Sequence, residues 1–519
     1  MVTSPHHLAS EAGLRVLREG GNAIEATIAM AASLAVVYPH MNSIGGDGFW
    51  LICRKGSTPI AIDACGGAAR AATSQFYRAN GLSSIPQRGA LAANTVAGTL
   101  AGWAEALAIG AGIGGRLPLS RLVEDAVWSG EHGFAVTASQ QGLTAEKFPE
   151  LKDCPGFGET FLLTGELPRE GALMKMPALA RTLLRLGKYG AMDFYQGELA
   201  KEIAADLVRC GSPVSLDDLA AHRAERREPL SVAIEGAELF NFPPPTQGLS
   251  SLMILALFDR LGVTDAEGFD HIHGLVEAAK QAFIVRDRII GHPESMVERA
   301  EDHLTATALD ALAMRIDRHR ALPWPHRAAP GDTVWCGAID SDGLAVSFIQ
   351  SIYFEFGSGC VLPNSGIVWQ NRGASFALDG AGPRGIGPGR KPFHTLNPAM
   401  ALFADGRRMV YGAMGGEGQP QTQSAVFSRY AMFGQGLQQA VTAPRWLLGK
   451  TWGAESVTLK LEGRFAPELV DKLRAAGHDI EVLADFTSTM GHAGAVVLRA
   501  DGTFEGAGDP RSDGAAMGF

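Results

Sequence analysis

The period of the hydrophobic positions changes several times along the chain. A helix-like pattern follows Ser4-Pro5, which reads as an N-cap and first-turn pair; it runs through Leu14 and Leu17 and is stopped by Gly20 and Gly21. Asn22 then caps a second helix, AIEATIAMAASLAVVY, which is apolar on nearly every face and must be buried. After SIGGDGF come two β-rich runs, WLICR and PIAID, separated by a turn. From about residue 95 to 330 the spacing is mostly helical, as in GTLAGWAEALAI, LSRLVEDAVWSGEHG, MPALARTLLRLGKYG, ELAKEIAADLVRCG and HIHGLVEAAKQAFIVRDRIIG. The three prolines of LFNFPPPTQGLSS force an extended turn between two of these helices.

Past residue 331 the texture becomes that of hairpins. Three segments alternate about Ser341-Asp342-Gly343, Ala404-Asp405-Gly406 and Ala500-Asp501-Gly502, each fitting a three-residue loop with glycine in the left-handed third position. In the first, both faces are apolar: Val334, Cys336, Val346 and Phe348 on one side, Trp335, Ile339, Ala345 and Ile349 on the other. Such a strand pair needs cover above and below. With the helices of the first two-thirds, this predicts a mixed α and β architecture of two stacked sheets between helical layers.

Composition narrows the function. At 519 residues and 46% hydrophobic, the chain can bury a large core as one layered unit or two intimate lobes. Its net charge is −10, and no Lys/Arg cluster interleaves with aromatics, which argues against nucleic acid or an anionic membrane and for a small-molecule substrate. The six cysteines show no C-x-x-C spacing and read as buried thiols. The N-terminus lacks a signal-peptide pattern and the stretch from Ile24 to Tyr38 is too short to span a bilayer, so a cytoplasmic protein is expected, or a periplasmic one if a leader was trimmed. GAGIGGR has dinucleotide-loop spacing but follows a helix instead of a strand, His6-His7 and His271/His273 lack partners at metal-ligand spacing, and DSDG is too short for a calcium loop. Neither cofactor nor metal is expected.

The candidate chemistry lies in GDTVWCGAIDSDGLAVSFIQS, residues 331 to 351. If Ser341-Asp342-Gly343 is the loop, Ser351 falls opposite Thr333 on the same face, where two hydroxyls can hydrogen-bond, although Thr–Ser pairs across strands are also common structurally. A threonine hydroxyl is a weak nucleophile unless a base activates it, and one solution is the residue's own α-amine once it has become an N-terminus. That would require cleavage of the Asp332–Thr333 bond. An oxyanion would then need donors, and the Gly415-Gly416 turn, which leaves a strand and enters a helix, could present backbone N–H groups; taken alone it reads as a tight turn.

The chain resembles the γ-glutamyltranspeptidase family, the threonine branch of the N-terminal-nucleophile hydrolases, almost end to end: from ASEAGLRVLREGGNAIEATIAMAASLAVVYPHMNSIGGDGF through FPPPTQG and EAAKQAF to DGTFEGAGDPRSDGAAMG. The resemblance implies a four-layer αββα sandwich. It also implies self-cleavage into residues 1–332, a large chain mostly helical with some strands, and residues 333–519, a hairpin-rich small chain, intertwined as a heterodimer whose further pairing is left open. By position Thr333 matches the nucleophile, Ser351 its supporting hydroxyl, Gly415 and Gly416 the oxyanion glycines, and His394 and Thr395 the family's paired serines of the substrate wall.

Two family handles for a γ-glutamyl group are missing: Cys65 stands where an arginine clamps the α-carboxylate, and Ser375 where an acidic residue holds the α-amino group. Val334-Trp335 after the nucleophile also differs from the usual pair, and the ring is expected to narrow the site. Arg372 offers a replacement clamp for a carboxylate. A small carboxylated amide fits, and the DTVW and FHTLNP segments resemble family members that release ammonia from oxamate in purine breakdown. The alternatives are γ-glutamyl transfer or glutathione hydrolysis, cephalosporin (glutaryl) acylase activity, and, in another class, an uncleaved relative that only binds a ligand.

Overall fold

The computed structural model describes residues 1–324, 332–380, 382–449 and 456–519. Its helix Ala23–Val37 is buried along its whole length, as its all-round apolarity requires. Asn22 accepts the Glu25 N–H while the Glu25 carboxylate accepts the Asn22 N–H, so the helix starts on a reciprocal cap. This helix covers one face of an antiparallel sheet whose strands run in the order Ala515–Met517, Val2–Ser4, Asp332–Ile339, Ala345–Tyr353, Asp47–Cys53, Ile60–Ala64 and Glu225–Arg227. A second antiparallel sheet has the order Phe504–Gly508, Ala493–Leu498, Arg408–Ala413, Ala399–Phe403, Ala237–Asn241 and Leu230–Ile234.

Three apolar layers stack these elements. Val334, Cys336, Val346 and Phe348 join the layer shared with helix Ala23–Val37, while Trp335, Ile339, Ala345 and Ile349 meet Phe240, Met400, Val410 and Val496 of the second sheet. The other face of the second sheet packs on helices Gly248–Leu261 and Phe269–Ile289. This is the predicted helix–sheet–sheet–helix sandwich, and the two-sided alternation of the first hairpin is its sequence signature. All three predicted turns occur, with Gly343, Gly406 and Gly502 at φ of 79°, 90° and 88°. Both sheets draw strands from before and after residue 332, so the two portions of the chain are interleaved in each sheet.

Two local expectations are corrected. Ser4 and Pro5 do not start the first helix, which spans His7–Arg18 with His6 as its cap. Val2–Ser4 is held instead as a strand between Ala515–Met517 and Asp332–Ile339, so sheet pairing overrides the capping signal. The region read as mostly helical also contains the strands Glu225–Arg227, Leu230–Ile234 and Ala237–Asn241, which extend both sheets. No described helix is long and apolar enough to cross a membrane. Of the six cysteines, Cys53, Cys65, Cys336 and Cys360 are buried; Cys154 and Cys210 are only half-buried.

Candidate active site

The hairpin around Thr333 keeps the register its turn dictates from Ala345 opposite Ile339 to Gln350 opposite Val334. One residue later it slips: Tyr353, and not Ile352, faces Asp332. Thr333 therefore lies against a bulge at Ser351–Ile352, which corrects the expectation of direct opposition to Ser351. The bulge is held by the Ser351 hydroxyl, which accepts the Tyr353 N–H at 2.8 Å, and Tyr353 adopts a φ of 82°, unusual for a side chain of its size. Bulges re-aim side chains beside functional sites, and backbone strain at such positions persists only where the surroundings impose it. On its other edge Ser351 pairs with Asp47, so Asp47, Ser351 and Thr333 lie on three adjacent strands.

Thr333 is fully buried between the sheets, and Gln419 Nε2 donates to its Oγ1 at 3.3 Å. Asp332 begins the same strand, while residues 325–331, which lead into the expected cleavage point, lie outside the described residues. Trp335 does not narrow the site as expected. Its ring lies in the inter-sheet core over Gly337, Gly412 and Gly494, where any Cβ would collide with it, and Nε1 donates to Ser347 Oγ at 3.0 Å.

Gln419 opens the helix Gln419–Phe427, and Gly415 and Gly416, at φ of 122° and 51°, form the turn into it. The Gly415 carbonyl accepts the Gly418 N–H at 2.8 Å, which points the N–H of the same peptide, that of Gly416, the opposite way. Gln247 ties this turn to the facing wall: its Nε2 donates to Gly416 O at 2.9 Å and to Thr395 O at 2.8 Å. Arg286 fixes Gln247 through Oε1 at 3.0 Å and reaches Glu417 at 2.6 Å.

Arg372 is fully buried. Its guanidinium stacks 3.9 Å from the Tyr353 ring centroid, and Nη1 lies 3.5 Å from Thr395 Oγ1. Nε and Nη2 have no partner among the described residues, and burial lowers its pKa to about 10. Ser375 holds the Arg372 loop by donating to Arg372 O at 3.0 Å and Phe393 O at 3.2 Å. Beside Arg372, the Asp47 Oδ2 lies 3.2 Å from His394 Nε2, and donor atoms of Asp47, Cys65 and His394 come within 4.8 Å of one another. Asp47 Oδ1 accepts the Gly66 N–H at 2.9 Å, the Gly98 N–H at 3.1 Å and the Gln370 amide at 3.2 Å. Burial raises Asp47 to about 6, partly offset by the Gly66 N–H, Arg372 and the Gln370 amide, and drives His394 well below its usual range.

The expected residues thus converge: Thr333 beside Gln419, Gly416 joined through Gln247 to Thr395, Thr395 near Arg372, and Arg372 over the tyrosine whose N–H Ser351 holds. Asp47, Gln247, Tyr353 and Gln419 are additional, and only the GGDGF and PPTQG segments around the first two carry a sequence signal.

The family model for Gamma-glutamyltranspeptidase matches residues 9–519. The chain belongs to the gamma-glutamyltranspeptidase family. It is 54% identical to the oxamate amidohydrolase proenzyme of Klebsiella pneumoniae, over 100% of this chain and 98% of that protein. It is 39% identical to a glutathione hydrolase-like proenzyme of Bacillus subtilis over the same shares of each. Among solved structures, cephalosporin acylase from Bacillus halodurans superposes with a TM-score of 0.90 at 32% identity, covering 99% of this chain and 94% of that one. The family's fold is the αββα sandwich described above, and its enzymes act on carbon–nitrogen bonds.

Proposed function

We propose that the protein cuts its own backbone between Asp332 and Thr333 and then uses Thr333 to hydrolyse the amide of a small carboxylated substrate, with oxamate the first candidate. The observation that carries this reading is Arg372, a buried guanidinium with unfilled donors stacked on Tyr353, whose strand partner is the residue before Thr333. Buried arginine forks are matched by carboxylates. A clamp this close to the nucleophile suits an acyl group in which the carboxylate lies next to the scissile carbonyl. The 54% identity to an oxamate amidohydrolase supports the same choice.

The chemistry follows from the groups at hand. The freed α-amine takes the Thr333 hydroxyl proton as Oγ1 adds to the amide carbon. The carbonyl oxygen becomes an oxyanion, for which the Gly415 and Gly416 N–H groups are the fitting donors. Collapse breaks the C–N bond, the ammonium returns its proton to the leaving nitrogen, and ammonia departs from an oxalyl ester on Thr333. Water, deprotonated by the same amine, adds to the ester, and a second collapse frees oxalate and restores the hydroxyl. Ser351 and Gln419 hold the nucleophile's surroundings, while Thr395 and His394 line the carboxylate end with Arg372.

A γ-glutamyl group suits this pocket less well. Its ammonium would need a free acid, but Ser375 is neutral and Asp47 has one oxygen given to three donors and the other facing His394. The test is ammonia release from oxamate, glutamine, a γ-glutamyl anilide and a glutaryl amide. Oxamate should be hydrolysed fastest; activity confined to the γ-glutamyl compounds would overturn the reading of Cys65, Ser375 and Arg372. Replacing Gln247 by methionine should lower kcat for the preferred amide about tenfold with little change in KM, because it releases the Gly416 carbonyl from its anchor while leaving the proposed oxyanion N–H groups in place. Stopped kinetics on fully cleaved protein check this.

A further inference from the structure

The Asp47–His394 contact sits within the acyl pocket but has no step in the mechanism above. Both residues are fully buried. At 3.2 Å the two atoms are within ion-pair distance, yet neither Asp47 Oδ2 nor His394 Nε2 makes a hydrogen bond of good geometry, and His394 Nδ1 has no partner among the described residues. The imidazole is held edge-on to Phe49 at 4.9 Å, and the carboxylate is anchored through its other oxygen. The pair is therefore positioned by its neighbours while its own hydrogen-bonding capacity is unused.

Charge accounting shows what that capacity is for. Arg372 and an ionised Asp47 balance in the empty pocket, with His394 neutral. Around them stand Cys65, pushed well above its usual range by burial, Tyr195 and His222 near Asp47, and Lys391 near His394, itself paired with Asp63 at 2.8 Å. A substrate carboxylate on Arg372 adds a negative charge beside three fully buried side chains, Arg372, Asp47 and His394, and an uncompensated buried charge is costly. We propose that Asp47 and His394 complete the anion site as a proton-carrying pair, so that a small 2-oxo carboxylate monoanion binds together with one proton shared between them. This rests on the carboxylate-on-Arg372 reading given under Proposed function.

Pyruvate is the probe, since it matches oxamate in shape and charge, has no C–N bond to cleave and stays ionised through the neutral range. With the cleaved enzyme, calorimetry in buffers of different ionisation enthalpy should show uptake of close to one proton per pyruvate near pH 7.5, and its inhibition constant against oxamate should rise about tenfold per pH unit above neutrality. The sign follows because a ligand that brings a proton binds more weakly as pH rises. Asp47→Asn should bind pyruvate without proton uptake and with a flat pH profile, and His394→Asn should reduce the uptake. Pyruvate binding to the parent enzyme with no proton uptake would overturn this proposal and leave the substrate reading intact. Uptake that persists unchanged in both Asp47→Asn and His394→Asn would place the proton outside the pair and overturn it equally. If neither pyruvate nor oxamate binds, and no ammonia is released from oxamate, both readings fall.

Discussion

Thr333→Ala should yield one uncut polypeptide on a denaturing gel and lower ammonia release by at least about 10⁴-fold, whereas the parent should run as two bands covering residues 1–332 and 333–519. The argument has two parts. Removing the hydroxyl removes the atom that would form the acyl ester, and without backbone scission the amine that would act as base stays locked in a peptide bond. Thr333→Ser separates these effects: it keeps the oxygen and should still cut itself, more slowly, and retain measurable turnover. The buried position of Thr333 between two sheets makes loss through misfolding a rival explanation, so the midpoint of thermal unfolding should be read alongside. Alanine here deletes only a methyl and a hydroxyl, and a loss of activity with an unfolding midpoint near that of the parent assigns the effect to chemistry. A parent enzyme that hydrolyses amides as a single uncut chain would remove the base from the mechanism, whereas a single uncut chain without turnover would favour the unprocessed ligand-binding alternative.

The hairpin that carries Thr333 is legible because several local signals agree: a Ser-Asp-Gly loop, apolar alternation on both faces, and the left-handed φ of Gly343. The same agreement exposes the stacked-sheet architecture. What is not legible comes from longer range. The slip between Gln350 and Tyr353 is enforced by the Ser351 hydroxyl and by pairing of the same strand with Asp47–Cys53, and tyrosine gives no local hint of a positive φ. Asp47 reads as a turn residue among the glycines of SIGGDGF, and only the sheet places it beside Ser351 and opposite His394. The strand Glu225–Arg227 carries three charges in a row and sits at a sheet edge, where charged side chains are tolerated, so its sequence resembles a surface loop. Ser4 shows the converse, a good capping residue overruled because its backbone pairs with Ala515 at the end of a strand whose Val2 and Thr3 are paired on both sides.

Arg372→Met should reduce kcat/KM for oxamate about 10²–10³-fold, mainly through KM, because the carboxylate it would hold is present in substrate and transition state alike. Arg372→Lys should recover only part of the loss, since a point charge replaces the planar fork and its stacking on Tyr353. The same methionine variant should unfold at a temperature equal to or above that of the parent. That opposite sign is the discriminating feature. In the empty protein the guanidinium is buried and carries two unfilled donors, and that desolvation cost outweighs its stack on Tyr353 and the attraction of Asp47, whose carboxyl would take up a proton once the guanidinium is gone. An arginine with a structural role would behave the other way, with its removal lowering the unfolding temperature and turnover falling only in proportion to the unfolded fraction. A residue that weakens the fold while empty and gains partners only when an anion arrives is a binding residue, so the paired measurement of stability and KM on one variant decides which role Arg372 has.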